Sequence, residues 1–116
     1  MNSGAKSTYD PQSLLAARRN DLKRKRRAAA DARRIAQFLS EHYGARVYGI
    51  GSLFEPGRDF TWRSDIDLAV EDLPDERFFA ICAEAQQLTD FPLDIIPLKD
   101  AREHFKEAVR TRGVRL

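Results

Sequence analysis

The chain has 116 residues, 42% of them hydrophobic and 33% charged, with 20 Lys and Arg against 18 Asp and Glu and a net charge of +2. That composition reads as one globular domain with one modest core. No apolar run reaches the length of a membrane span and no signal peptide opens the chain, so neither a membrane partner nor secretion is expected.

The single cysteine, Cys82, excludes an internal disulfide and fits a reducing, cytoplasmic location. It lies among apolar residues at helical spacing and reads as a space-filler rather than a nucleophile. The charge is uneven. Between Arg18 and Arg34 nine Lys or Arg stand against two acids, so that stretch is +7 and the remainder −5.

In chain order, residues 1–10 read as a disordered tail and 11–116 as one domain, with a helical segment at 11–43 ahead of a core at 46–116. Asp10-Pro11 is a helix start, because Asp caps and Pro tolerates the first turn. Helix-favouring residues run from there to Tyr43, as one long helix or as two meeting near Asn20-Asp21. Leu22, Ala29, Ala32, Ala36, Leu39 and Tyr43 recur at helical steps, widened by Ile35 and Phe38. The second half should pack on a sheet. The first half has only a sparse apolar seam, of a kind that serves a partner helix or a homodimer.

Gly44 stops the helix, and Arg46 to Gly51 reads as the first strand. A loop spans 53–63, broken by Pro56-Gly57. The second strand is Asp65 to Glu71, a helix follows over Glu76 to Leu88, and Phe91 to Leu98 is the third strand. A final helix covers Ala101 to Thr111, and Val114-Arg115-Leu116 forms a short terminal strand. The order predicts an α/β (α+β) fold, a small mixed sheet with helices packed on one side. The second and third strands, joined by a helical crossover, should be parallel neighbours.

The chemistry concentrates in Gly51-Ser52 and in Ser64-Asp65-Ile66-Asp67-Leu68. Residues two apart on a strand share a face, so Asp65 and Asp67 point the same way. Asp is disfavoured in strands and paired carboxylates repel, whereas a hard divalent cation would hold them together. An EF-hand loop is excluded, because neither the required Gly nor the closing Glu is present. Asp94 on the third strand can join the pair, giving three carboxylates, enough for two Mg²⁺ ions. Gly51-Ser52 would cradle phosphates with backbone N–H groups and the Ser hydroxyl.

Gly-Ser followed by Asp-x-Asp resembles the pattern of the DNA polymerase β-like nucleotidyltransferases. At this length the chain is most similar to the minimal nucleotidyltransferases, single small domains often encoded beside a HEPN-family protein, with which some form toxin–antitoxin pairs. The likeness covers roughly Ile35 to Leu116. It implies a polymerase β-like fold, Mg²⁺ and ATP as cofactor and substrate, and transfer of a nucleoside monophosphate to a hydroxyl. The acceptor it suggests is a tyrosine of a HEPN-type partner toxin, the enzyme acting as antitoxin. The resemblance makes Asp65 and Asp67 metal ligands and gives Asp94 the activation of the acceptor. After Gly-Ser the family carries a short Arg- and Gly-containing stretch. Here Leu53-Phe54-Glu55-Pro56-Gly57 replaces it, and Arg58 and Arg63 would supply the charge for nucleotide binding, with Ser64 supporting the turn and the neighbouring carboxylates.

Two other functions compete. In one, the same fold serves as a non-catalytic antitoxin that masks its partner by contact through the N-terminal helix. Alternatively the basic helix binds nucleic acid, a reading weakened by the lack of interleaved aromatic residues. Phe60 and Trp62 would either stack on a base or pack under the loop. His42 and His104 have no partner at metal-ligand spacing and read as surface residues.

Overall fold

A long helix organises the molecule, and its ends are set by local chemistry. The computed structural model describes Asp10–Leu116; of the expected tail, residues 1–10, residues 1–9 lie outside the described residues and Asp10 belongs to the helix start. Helix α1 (Pro11–Tyr43) is one uninterrupted element of 33 residues, so the break considered near Asn20 does not form. Asp10 caps it, its carboxylate accepting from the Gln12 N–H at 3.1 Å. Gly44 closes it at φ 71°, where its N–H donates to the Ser40 carbonyl.

The strands are β1 (Arg46–Ile50), β2 (Ile66–Glu71), β3 (Leu93–Pro97) and β4 (Val114–Arg115). Their order in the sheet is β3-β2-β1-β4. β1 is antiparallel to both β2 and β4, while β2 and β3 are parallel, as the crossover through α2 (Phe78–Gln86) requires. Helix α3 (Glu103–Arg112) then leads into β4. The fold is a small mixed α+β structure, as the element order predicts.

Alternation along the strands divides the sheet into two faces. Val47, Ile66, Leu68 and Val70 point to one face and pack with Ala28, Ala32, Ile35, Ala36 and Leu39 of α1 and Ile81 and Ala85 of α2. Each fully buried Ile, Leu or Val there contributes about 1.5–3 kcal/mol. The one-sided helical layer expected from the sequence needs correction. Tyr48, Ile50 and Ala69 face the other way and pack with Val109 and Phe105 of α3 and with Leu98. The apolar stripe of α3 needs a surface, and these outward residues provide it. Helix α3 covers only part of that second face, on which the side chain of Asp67 also lies.

Among the described residues no helix is long and apolar enough to cross a membrane.

Candidate functional site

Pairing of β1 with β2 sets Ile50 opposite Asp67, so the chain leaves β1 beside the start of β2. Gly51 follows at φ 79°, a conformation that favours glycine. A second constraint acts at the same residue. A Cβ on Gly51 would lie 2.7 Å from Asp67 Oδ2. The backbone of one motif half therefore rests against the carboxylate of the other, although sixteen residues separate them in sequence.

The parallel pairing of β2 and β3 sets Asp67 level with Asp94. Side chains at paired positions share a face, so the two carboxylates are neighbours. Asp65 stands one residue before β2, whose ladder begins where the Ile66 N–H donates to the Pro92 carbonyl at 2.8 Å. Asp65 and Asp94 are exposed and Asp67 is half-buried. Burial, then the charge of Asp94, then that of Asp65, hold the Asp67 carboxyl above its ordinary range.

Among the described residues, no three or more His, Cys, Asp or Glu side chains converge closely enough to hold a metal ion between them. The donor chemistry nevertheless fits a hard divalent cation. The oxygens are carboxylates, those of Asp67 and Asp94 stand at paired positions on adjacent strands, and their mutual repulsion is the load such an ion relieves. Asp67 and Asp94 are the pair the register brings together, with Asp65 beside them.

The loop after Ser52 accounts for the departure from the resembled pattern. A short 3₁₀ turn covers Ser52–Phe54, with the Phe54 N–H donating to the Gly51 carbonyl. Leu53 is buried in the core, and the Phe54 ring packs so closely on Gly49 that a Cβ there would meet it at 2.5 Å. These positions are used for packing, which leaves no room for charge. Arg58 is held by Glu55, at 3.0 and 3.1 Å, and Arg63 lies 4.9 Å from the Trp62 ring centre. Both guanidiniums are thus engaged within the loop. Ser64 Oγ accepts from the Thr61 N–H at 2.9 Å, fastening the turn before Asp65.

Phe60 is fully buried, edge-on to Phe91, whereas Trp62 is exposed. Of the pair, Phe60 packs under the loop, while the exposed Trp62 ring has the Arg63 guanidinium over it. Cys82 is half-buried; burial, followed by the charge of Asp94, pushes its thiol up, which disfavours a nucleophilic thiolate. His42 is exposed on α1, with Nδ1 3.2 Å from the Phe38 carbonyl, and His104 is exposed on α3.

Nothing in the sequence signals the groove that lies beside Gly51. It has a volume of about 380 Å³ and lies between the end of β1 and α3. Ile50, Phe54, Phe105, Ala108 and Val109 form apolar walls, with Glu55 and Arg112 as charged members. Its lining comes from two groups at least fifty positions apart, and only the return of the chain through α3 brings them together.

No family model, curated protein or solved structure matches the chain. The functional reading therefore rests on the residues and their geometry.

Proposed function

We propose that the protein is a Mg²⁺-dependent nucleotidyltransferase that moves AMP from ATP to a hydroxyl group. One observation carries this reading. The Gly51 backbone lies against the Asp67 side chain, while Asp67 is in register with Asp94. A turn that would cradle phosphate and a carboxylate pair thus share one corner of the sheet.

Asp65, Asp67 and Asp94 would hold magnesium, and the chemistry it supplies when bound is neutralisation of charge on the triphosphate. The Gly51 and Ser52 N–H groups and the Ser52 hydroxyl would hold phosphate oxygens. The groove beside Gly51 offers the base an apolar bed between Ile50, Phe105 and Val109. Asp94, exposed at the site's rim, accepts the proton of the acceptor hydroxyl. That oxygen bonds to the α-phosphorus as the bond from this phosphorus to the α,β-bridging oxygen breaks, and pyrophosphate leaves. A tyrosine on a HEPN-type partner is the acceptor this reading favours, with the enzyme acting as antitoxin.

The test follows α-phosphate label from ATP onto added hydroxyl acceptors in the presence of Mg²⁺. Wild type should transfer it and release pyrophosphate, and Asp67→Asn should not. Full transfer by the variant sinks the assignment.

A second reading keeps the fold without catalysis, as an antitoxin that binds its partner by contact. It is favoured by the loop after Ser52, where Leu53 is core and Arg58 is tied to Glu55. A chain that binds no nucleotide yet still neutralises its partner would support it.

A further inference from the structure

Helix α1 runs well beyond the sheet it covers. Its buried residues begin at Ala28 and continue through Ala32, Ile35, Ala36 and Leu39. Steps of seven back from Ala36 and Ala29 reach Leu22 and Leu15, and a step of seven back from Asp21, itself seven before Ala28, reaches Leu14. The face that meets the core in the second half therefore continues in the first half without cover among the described residues. Leu14 and Leu15 are each 57% exposed and Leu22 is 50% exposed. A single exposed leucine needs no explanation, but three within one face of a helix form a stripe that is unpartnered among the described residues. The Lys25 ammonium donates to the Glu55 and Arg58 carbonyls and ties the helix to the loop. Beyond it, Leu14, Leu15, Ala17, Arg18 and Asp21 line an open cavity of about 590 Å³ with Asp59.

Charge decides what can occupy this face. From Pro11 to Arg27 there are seven Arg or Lys and one acid, Asp21, a net of +6. A second copy would bring two such segments together, and their repulsion opposes pairing. A nucleic acid would satisfy the charge and leave the leucines in water. It would also find no aromatic side chain to stack on, since none occurs in α1 before Phe38. An acidic helix with an apolar stripe matches both features.

We propose that Pro11–Arg27 is a docking face for an acidic, leucine-bearing amphipathic helix of a partner protein. The claim is independent of the nucleotide site.

The probe is a synthetic helical peptide of about three heptads, with Leu at the stripe positions and Glu elsewhere. A matched peptide with Gln in place of Leu, and an oligouridylate, serve as controls. Wild type should bind the Leu/Glu peptide at least about tenfold more tightly than either control. The double variant Leu15→Gln, Leu22→Gln should lose at least about tenfold for that peptide, with an unchanged melting curve because both positions are exposed. Arg18→Glu should weaken the same complex and flatten its salt dependence. Three outcomes overturn the proposal. In one, the Gln/Glu peptide or the RNA binds as well as the Leu/Glu peptide, which would make the face a general polyanion surface. In another, the leucine substitutions leave Leu/Glu binding unchanged. In the third, the chain doubles its mass through these leucines and binds no peptide, which would make the occupant a second copy.

Discussion

Asp67 on β2 and Asp94 on β3 are level with one another in a parallel pair, two carboxylates on one face of adjacent strands. Nothing in the packing asks for this. The same strand buries Ile66, Leu68 and Val70 on its other face, and those residues secure its place in the sheet. The acidic face is free to be used, and its internal repulsion is a standing cost.

That cost should be visible in stability. Burial and the two neighbouring carboxylates raise the Asp67 carboxyl above its ordinary range. The native state then holds the proton to higher pH than the unfolded chain, so it binds more protons across that interval and stability falls as pH rises through it. Asp67→Asn should therefore raise the melting temperature at neutral pH in metal-free buffer. The gain should shrink as pH falls below the ordinary carboxylate range. The same variant should lose well over 100-fold in transfer activity, beyond the ~10–100-fold that loss of an outer-shell partner costs. Melting curves across pH, with an assay at neutral pH, check both parts.

Glu71 should behave in the opposite way. Burial pushes its carboxyl up, but Arg110, Tyr48 and Arg46 outweigh that and hold it below its ordinary value. Tyr48 donates at 3.1 Å, and Arg110 lies at 3.3 Å. A lowered carboxyl contributes stability that is present above the unfolded value and lost as pH falls through the native one. Glu71→Gln should cost about 1 kcal/mol at neutral pH and progressively less in acid, read from urea unfolding.

Gly51 is doubly constrained. Gly51→Ala would place a Cβ 2.7 Å from Asp67 Oδ2 and hold a side chain at φ 79°. With ψ at −168° the residue lies in a region essentially reserved for glycine, and the backbone strain alone is about 1–3 kcal/mol. The variant should fold with a lowered melting temperature and lose Mg²⁺-ATP binding, because the turn and the carboxylate must move apart. Calorimetric titration reads the loss, and wild-type affinity in this variant would argue against a phosphate site at Gly51.

The groove between β1 and α3 separates base from phosphate recognition. Ala108→Leu should partly fill it. Affinity for Mg²⁺-ATP should fall about tenfold while inorganic triphosphate binds as before. Equal losses for both ligands would place the base elsewhere.

Much of this was legible in the sequence, for reasons particular residues make clear. Asp10-Pro11 and Gly44 mark both ends of α1, because capping is a local property. The parallel pairing that joins Asp67 to Asp94 follows from the helical crossover between their strands. The side on which α3 packs was not legible. Tyr48, Ile50 and Ala69 look like ordinary members of an alternating strand, and only their contact with Val109 shows that the second face is also covered. The engagement of Arg58 by Glu55 and of Arg63 by Trp62 was hidden for a related reason, since a loop's charge pairing depends on its folded path.

The most direct test of the central claim is the thermal stability of the purified protein with Mg²⁺ alone, ATP alone and both together, beside Asp67→Asn. A ligand at a hundredfold its dissociation constant stabilises the native state by about 2.7 kcal/mol. The account predicts a shift that requires Mg²⁺ and ATP together and is absent in the variant. An unchanged melting temperature with both present, or an equal shift in Asp67→Asn, would contradict it.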